Sequence, residues 1–300
     1  MIKTIKSKLM KLFESLFYKL PLNIHPMTYI KRKKVIYYLE SRSGEMDESS
    51  EILKFIKREH NIFIPYNFVK KYKEEDIEVY DDLEYMGKYV LHKKQKLYFP
   101  KEFSASDVKI MYNSLLIEAD IGSPHCYETS DFHVQVGDVI ADAGAAEGIF
   151  TLNIIEKIKK AYLFECEEKW IEALKMTFKP WKDKIVIINK YVSENTSTKS
   201  ISLDDFVENE NIEELNFIKA DIEGAEISLV LGANRILSNQ KDLQIVLCTY
   251  HNQNDAEDLN KLLIEKGFKT EFSKGYMIFI WDEPFNPPYL RKGLIRAKNN

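Results

Sequence analysis

The sequence predicts an α/β protein with a doubly wound, mostly parallel sheet and a mainly helical N-terminal extension. From Val136 onward, short apolar runs typical of strands alternate with amphipathic runs typical of helices, which is the pattern of βαβ units. Before about residue 120 the sequence is mixed and mostly helical in character. We therefore divide the 300 residues into an extension, 1–120, and an α/β domain, 121–300.

Five apolar runs are interpreted as the parallel strands. They are DVIADA, KKAYLFE, KIVIINKYV, LNFIKAD and QIVLCTY, with helices beginning near Gly148, Glu167, Ser202 and Gly224. A last helix begins at Asn254 or Asp255 and ends just before Gly267. After it, FKTEF and YMIFI flank the turn residues 273–275, which predicts a hairpin and an antiparallel end to the sheet.

Three segments of the extension have recognisable patterns. SGEMDESSEILKFIKREHN predicts a short amphipathic helix with Asp47 and Ser49 as capping residues. EYMGKYVLHKKQKLYFP contains two β-rich runs around a polar HKKQK, which predicts a hairpin ending at Pro100. SASDVKIMYNSLLIEAD predicts a helix capped by Ser104 or Ser106.

The first 22 residues predict a basic amphipathic helix. Apolar residues recur among lysines at Ile2, Ile5, Leu9, Leu12, Leu16 and Leu20. Lys8, Lys11 and Glu14 interrupt the apolar stretch that a secretory signal needs, and no run reaches the ~20 apolar residues that span a bilayer. Two alternatives stay open: packing on its own domain or in a homodimer, and adhesion to a membrane surface helped by the basic run 31–34.

Composition excludes some partners and compartments. The chain has 43 basic and 47 acidic residues, a net charge of −4, which gives no overall electrostatic case for nucleic acid. Three widely spaced cysteines indicate neither a disulfide framework nor a CxxC metal site. We therefore expect a cytoplasmic protein, at the inner membrane surface if the N-terminal helix adheres there. A lysine-rich composition is compatible with a bacterial source.

The loop DAGAAEG, residues 142–148, follows the first strand of the α/β domain. In doubly wound sheets this loop lies where ligands bind, and small residues let the backbone approach the ligand. The GxGxxG pattern of dinucleotide sites is absent, and Glu147 places a negative charge where a pyrophosphate would lie. The loop therefore favours a cationic ligand over a phosphate.

The second strand ends at Glu165, which lies 23 residues beyond Asp142. An acidic residue about 20 residues after the first strand accepts hydrogen bonds from ribose hydroxyls in related sheets. The loop at residues 142–148 disfavours a phosphate. Together with that loop, the position of Glu165 indicates a nucleoside that carries a positive charge. S-adenosylmethionine meets that description.

Four blocks in order resemble a known family. DAGAAEGIFTL, LFECEEKW, ISLDDFV and KADIEGAEISLVLGANRIL look like the FkbM-type class I S-adenosylmethionine-dependent methyltransferases over roughly residues 120–300. The resemblance implies a Rossmann-like class I methyltransferase sheet and O-methylation of a small polar or sugar-derived acceptor, as in glycan, polysaccharide or natural-product biosynthesis, rather than nucleic acid. Ala146 stands where the family often has glycine.

The resemblance also assigns the cofactor site. Asp142, Ala143 and Gly144 would face the amino acid part of S-adenosylmethionine, and Glu165 the ribose. The adenine would be flanked by Cys166, Tyr191 and Val192. The remaining loop positions in the cofactor site are Ala145, Glu147, Gly148 and Phe150.

The acidic motif after the fourth strand, together with the end of the fifth, supplies the catalytic candidates. Asp221, Glu223 and His251 would converge at the ligand edge, either as a general-base group or as ligands of a divalent cation of the Mn or Mg type. Glu226 is interpreted as structural, because acidic residues are favourable at a helix start.

Four further residues are candidates for binding the acceptor. His125 and Tyr127 lie just upstream of the first strand, where a segment can fold over the cofactor pocket. Arg291 and Arg296 follow the expected last strand and would either clamp an anionic acceptor or belong to a solvated tail.

Two other functions compete with methyl transfer. A nicotinamide-dependent oxidoreductase could use a similar sheet, but the sequence lacks GxGxxG and a Tyr-x-x-x-Lys pair near the expected strand end. A non-catalytic S-adenosylmethionine-binding scaffold would act through the basic N-terminal helix. Titratable groups at the ligand edge argue against the scaffold, which has no need of them.

Overall fold

The structure is a computed structural model that describes residues 26–42, 48–59 and 62–299. The basic helix expected over residues 1–22 and the cap expected at Asp47 lie outside these ranges. Within them, no helix is both long and apolar enough to cross a membrane.

A seven-stranded sheet forms the centre of the α/β domain. Its strands are β4 (Val139–Ala143), β5 (Lys160–Phe164), β6 (Ile185–Ile188), β9 (Phe217–Ala220), β10 (Gln244–Cys248), β11 (Lys269–Phe272) and β12 (Leu294–Lys298). They lie in the order β11-β12-β10-β9-β4-β5-β6, and the five strands from β10 to β6 run parallel. The chain order therefore reverses between β4 and β9, and the carboxyl ends of both strands face the same edge.

Helices cover both faces of this sheet. They are α4 (Ile149–Ile154), α5 (Glu168–Thr177), α6 (Leu203–Asn209), α7 (Glu226–Leu231), α8 (Asn234–Asn239) and α9 (Asp255–Glu265). Successive strand residues alternate between two buried clusters: Phe217 packs on one face and Ile218 on the other. Both are fully buried, and burying a side chain of this size contributes ~1.5–3 kcal/mol.

The predicted βαβ units are confirmed, with one strand shorter than expected. KIVIINKYV divides into β6 and a separate β7 (Tyr191–Val192), which pairs in parallel with β8 (Ser200–Ile201). The helices begin within two residues of the predicted positions. The last helix, α9, ends as expected, because Gly267 has a φ of +86° just beyond its C-cap.

The predicted terminal hairpin is wrong in its second strand. β11 contains most of FKTEF, but it pairs antiparallel with β12, which also pairs antiparallel with β10. YMIFI is not a strand partner of β11. Its residues 277–280 are all buried, without the alternation of a sheet strand, and they pack against the N-terminal extension. The sheet ends in an antiparallel pair as predicted, with a different partner.

The extension contains helices and a small sheet. Its elements are α1 (Pro26–Ser41), α2 (Ser49–Arg58), β1 (Tyr80–Asp82), β2 (Gly87–His92), β3 (Gln95–Tyr98) and α3 (Ala105–Glu118), with short 3-10 helices at Asn67–Lys71 and Glu74–Asp76 and a third, in the α/β domain, at Lys179–Trp181. The predicted hairpin is β2–β3, turning at Lys93 and Lys94, both at positive φ. Ser104 caps α3 in a capping box with Asp107. Ser49 is the first residue of α2 and not its cap, which is Glu48.

A third buried cluster joins the extension to the end of the chain. Val35 and Leu39 of α1 and Ile52 of α2 pack with Met277 and Phe279 from the connection between β11 and β12. The backbone of this connection also pairs with the extension, because the Ile278 amide donates to the Phe63 carbonyl over 2.9 Å. The extension is thus packed on the α/β domain through a shared core.

The loops that follow β4 and β9 touch at the carboxyl edge of the sheet. Gly144 has a φ of +73°, and a Cβ built on it would lie 1.9 Å from the carbonyl oxygen of Asp221. A side chain at residue 144 would therefore overlap the backbone of the neighbouring loop. The glycine sets how closely these two loops approach.

We expect Gly144→Ala to lower the free energy of unfolding by about 3 kcal/mol, because a left-handed φ and a backbone overlap both penalise the new Cβ. The matched control is Gly267→Ala, where φ is +86° but the space around the Cβ is open, and where the cost should be about 1–2 kcal/mol. Urea unfolding measures both. Equal losses would show that the close contact with Asp221 is not what requires glycine.

Candidate active site

Asp142 is fully buried at the end of β4 and is held by two side chains. Thr151 on α4 donates its hydroxyl to Oδ2 over 2.8 Å, and the Lys219 ammonium lies 3.0 Å from Oδ1. A buried carboxylate needs such partners to stay charged. The Asp142 carboxylate, expected to face the cofactor, binds the neighbouring strand β9 through Lys219.

Lys219 is the buried cation of this edge, and sequence reasoning did not identify it. It lies within β9, and its Nζ also donates to the Gly144 carbonyl over 2.7 Å. Burial opposes its charge, but the carboxylates of Asp142 and Asp221 outweigh burial and raise the pKa of Lys219. The available signal was a lone lysine in the otherwise apolar run FIKA, whose four residues are all buried.

Glu165 receives the loop after β4. Its Oε2 accepts from the Ala146 amide over 2.9 Å, while Oε1 accepts from the amides of Cys166 and Glu167 over 2.7 and 2.8 Å. These three backbone bonds fix the Glu165 carboxylate at the end of β5. Ala146 has a φ of +44°, a conformation that glycine adopts without cost, which gives a physical reason for the glycine often found there.

Glu147 is buried beside these charges. Burial raises the pKa of Glu147 to about 7, although Lys219 acts in the opposite direction. The group is therefore near the midpoint of its titration at neutral pH.

The following residue, Gly148, has a φ of +82°, and a Cβ there would meet Leu174 and Phe178 at 2.7 Å. Packing of α5 thus accounts for this glycine.

Asp221, one residue after β9, is the centre of a polar cluster. Tyr127 and Tyr250 donate hydroxyls to it over 3.1 Å each. The Nε2 atoms of His125 and His251 lie 3.5 and 3.4 Å from its oxygens. Burial alone would raise the pKa of Asp221, but the two histidines and Lys219 hold it well below its usual range. The predicted convergence of Asp221 and His251 is present in the structure.

His251 lies between two carboxylates. Its Nδ1 is 3.0 Å from Oε1 of Glu226, which is itself 1% exposed. Burial opposes protonation, but Glu226, Asp221 and the more distant Glu223 outweigh it and raise the pKa of His251 to about 9. The imidazole is therefore cationic at neutral pH. A protonated ring cannot accept a proton, so His251 is not suited to be the base at that pH.

Glu226, rather than Glu223, contacts His251. Glu223 is exposed in the turn before α7, with a φ of +57°, and acts on His251 through its charge. Glu226 is the first residue of α7, as the structural interpretation held, but its carboxylate also accepts from the Ile222 amide over 2.9 Å. The acidic motif thus contributes Asp221 and Glu226 to the cluster.

His125 brings the segment before β4 into the same cluster. It is buried, and its Nε2 lies 3.0 Å from the Tyr250 hydroxyl and 3.7 Å from the thiol of Cys248. Its Nδ1 is 3.9 Å from Glu118, the last residue of α3. Burial raises the pKa of Glu118 despite the opposing charge of His125. The extension therefore supplies a carboxyl group that no sequence motif indicated.

The residues assigned to adenine differ in exposure. Tyr191 is 57% exposed and Val192 is buried, while Cys166 is half-buried and interacts with Tyr191. Phe150 is buried, with its ring stacked on Phe217 at a centroid distance of 5.8 Å. Phe150 therefore belongs to the core beneath the loop, whereas Tyr191 lies at the surface.

Arg291 and Arg296, which were expected near the acceptor, neither belong to a solvated tail nor form an open clamp for an anion. Arg296 lies in β12 and is 6% exposed, and its guanidinium donates to the carbonyls of Cys126 and Tyr127. Arg291 pairs with Asp282 and donates to the Tyr250 carbonyl over 2.5 Å. Both therefore hold loops around the polar cluster.

Two groups of donor atoms in the described residues have spacings that suit a metal ion. They are Asp221 with Glu226 and His251, and Asp221 with His125 and Cys248. Oε2 of Glu226 is buried without a hydrogen bond, so the first group retains a donor atom. Its carboxylate and imidazole donors are compatible with Mn or Mg type ions. Glu226, and not the expected Glu223, belongs to this group of donor atoms.

Comparisons with known proteins bear on this site. Residues 168–270 match the family model of the Methyltransferase FkbM domain. A comparison with curated protein sequences gave no match. Among solved structures, the chain is similar to methyltransferase FkbM from Methylobacillus flagellatus KT, at 17% identity and a TM-score of 0.44, with 66% of this chain and 56% of that chain covered. The alignment thus spans little more than half of the Methylobacillus protein.

Two further solved structures are similar over a smaller share of this chain. Precorrin-6y C5,15-methyltransferase from Geobacter metallireducens GS-15 has 11% identity and a TM-score of 0.40, with 57% of this chain and 85% of that chain covered. TrmK from M. capricolum, solved with S-adenosyl-homocysteine, has 12% identity and a TM-score of 0.37, with 56% and 64% covered.

The strand order and the antiparallel end are those of the predicted Rossmann-like class I methyltransferase sheet. The match over residues 168–270 confirms the resemblance to the FkbM methyltransferase family that the sequence blocks indicated.

We expect Lys219→Met to lower the free energy of unfolding by about 3–5 kcal/mol, because Asp142 would keep a buried charge without its cation. The control is Lys88→Met, which removes an exposed pair with Asp81 and should cost less than ~1 kcal/mol. Urea unfolding measures both. The double variant Asp142→Asn/Lys219→Met should recover part of the loss, and no recovery would show that the lysine stabilises through other contacts.

Proposed function

We propose that this protein is an S-adenosylmethionine-dependent methyltransferase that methylates a hydroxyl of a small polar or sugar-derived acceptor. The observation that carries the proposal is the Asp221 cluster at the carboxyl edge of β9, directly beside the small-residue loop after β4. The match to the FkbM methyltransferase domain supports the transfer of a methyl group. Oxygen as the acceptor atom rests on the resemblance and on the acid–base groups.

The charges of this edge fit a cationic cofactor. Six carboxyl groups lie at or just behind it, those of Glu118, Asp142, Glu147, Glu165, Asp221 and Glu226, against three basic groups, those of Lys219, His125 and His251. The excess of carboxyl groups suits a sulfonium and an ammonium group. The same excess disfavours the pyrophosphate of a nicotinamide cofactor, which would bring further negative charge.

Different residues would hold the different parts of the cofactor. Glu165, which follows β5 at the carboxyl edge of the sheet, would bind the ribose hydroxyls, and Tyr191 and Cys166 beside it would flank the adenine. The loop residues from Gly144 to Glu147 would face the amino acid part. When bound, the cofactor supplies an electrophilic methyl group on its sulfonium.

Asp221 is the proposed proton acceptor. Its bonds to the two tyrosines are 3.1 Å, whereas its contacts with the two histidines, at 3.4 and 3.5 Å, exceed the usual hydrogen-bond range of about 2.7–3.2 Å. An acceptor hydroxyl could therefore replace a histidine contact. The oxygen becomes strongly acidic as it gains the methyl group, so a carboxylate with a lowered pKa suffices to take its proton.

His251 and Glu226 orient that carboxylate. The protonated imidazole spans Glu226 and Asp221, and Glu226 is fixed in turn by the Ile222 amide. Alignment of an acceptor oxygen behind the methyl group can lower the activation barrier by up to ~7–11 kcal/mol in ideal cases.

The arginines bear on the charge of the acceptor. Arg291 and Arg296 bind protein carbonyls, so their guanidinium groups are not available to pair with an anionic acceptor. A neutral polyhydroxy acceptor fits this site better than a phosphorylated one.

Cofactor binding tests the first half of the proposal. We expect S-adenosylhomocysteine to bind in calorimetry and NADH not to bind. Glu165→Gln should weaken the binding of S-adenosylhomocysteine by roughly tenfold, because about one charge-assisted hydrogen bond is lost. The control Glu167→Gln, at the N-cap of α5, should bind as the unaltered chain does. Binding of NADH without S-adenosylhomocysteine would instead support an oxidoreductase.

The pH dependence of turnover tests the assignment of the base. A radiolabelled methyl-transfer screen over oligosaccharides, nucleotide sugars and phosphorylated small molecules, with and without chelator, would first supply an acceptor. With it, kcat should be constant near neutral pH and fall as pH rises through about 9, where His251 loses its proton. If His251 were the base, kcat would rise through the same range. The control His133→Gln, on the loop before β4, should keep the profile.

Asp221→Asn should lower kcat by roughly 10²–10⁴, the usual contribution of a general base, while S-adenosylhomocysteine affinity stays within a few-fold. Loss of activity with chelator, restored by Mn or Mg, would assign Asp221, Glu226 and His251 to a metal ion instead. Cofactor binding without transfer to any acceptor would support a scaffold.

A further inference from the structure

Charge is distributed very unevenly along this chain. Residues 1–42 carry ten basic and two acidic side chains, a net charge of +8. The remaining 258 residues carry 33 basic and 45 acidic side chains, a net charge of −12. The overall charge of −4 therefore conceals a strongly basic N-terminal segment, which ends with α1. Such an asymmetry is typical of segments that bind an anionic surface or polymer.

The inward face of α1 is firmly attached to the protein. Lys31 is buried, with its Nζ 2.6 Å from Glu283, and Arg32 donates to the Ile56 carbonyl over 2.8 Å. Val35 on the same face is fully buried in the cluster shared with residues 277–290. Two of the four consecutive basic residues therefore hold α1 in place and do not form part of an outer surface.

The outward face of α1 combines large apolar side chains with the other two lysines. Met27, Ile30 and Tyr37 recur every three to seven residues along it, with exposures of 48%, 45% and 75%. Tyr29 is 62% exposed beside them, and both Lys33 and Lys34 are exposed. Helices that lie on a membrane have this combination of apolar, aromatic and basic side chains on one surface.

We propose that this outward face, consisting of Met27, Tyr29, Ile30, Lys33, Lys34 and Tyr37, docks the protein on an anionic lipid bilayer. The charge of residues 1–42 is complementary to such a surface and adds to the attraction of the two lysines. Two copies of the chain would instead bring like charges together at this face. Nucleic acid would match the charge and could stack on the two tyrosines, but it offers no apolar phase to Met27 and Ile30.

Vesicle binding by the full chain tests the proposal. We expect cosedimentation with phosphatidylglycerol-containing vesicles, none with pure phosphatidylcholine vesicles, and weaker binding at high salt. Lys33→Glu/Lys34→Glu should weaken binding at least tenfold, since each lysine near an anionic surface contributes about fivefold. The control Lys175→Glu/Lys182→Glu makes the same charge change at exposed positions of the α/β domain and should reduce binding much less.

A second pair of variants tests the apolar contribution. Ile30→Ser/Tyr37→Ser should weaken binding to the same vesicles, whereas Leu83→Ser/Val136→Ser, which removes even more exposed apolar side chains elsewhere, should not. Circular dichroism confirms that each variant is folded. The proposal is overturned if the full chain ignores anionic vesicles, if the α1 variants bind as well as their controls, or if an oligonucleotide binds more tightly than the vesicles. Concentration-dependent dimerisation abolished by the same variants would assign the face to a second copy.

Discussion

The buried ion pair between Asp142 and Lys219 holds the ligand edge of this sheet together. It joins the ends of β4 and β9, the two strands between which the chain order reverses, and its lysine also binds the backbone of the loop that follows β4. Two opposite charges removed from water stabilise only when their geometry is good and their other bonds are satisfied. The positions of the loop after β4 and of Asp221 therefore depend on Lys219, a cation that is buried.

Charge compensation continues outward from that pair. Asp221 remains anionic because cationic side chains surround it, and His251 remains cationic because it lies between Asp221 and Glu226. Each charge is thus maintained by its neighbours, which couples their protonation states. Tyrosine hydroxyls from segments far apart in sequence complete the shell. Such a cluster has an orientation fixed before any ligand arrives, which is the usual condition for efficient proton transfer.

The sequence was sufficient for the parallel strands, their helices and the convergence of Asp221 with His251, because periodicity and strand ends are local properties. It was insufficient where the exact start of a helix decides a contact. Glu223 and Glu226 are three residues apart in sequence, and only Glu226 contacts His251. It also missed Glu118, which reaches the site only through packing of the extension. The pairing of β11 with β12 spans more than twenty residues, and no turn signal marks it.

The shared core of α1, α2 and residues 277–290 has a consequence for how the protein folds. Two helices bury their apolar faces against a segment that lies far from them in sequence. Contacts of such long sequence separation form slowly, because the intervening chain must first be brought together. While they are unformed, the apolar faces of α1 and α2 lack their native partner and are available for aggregation.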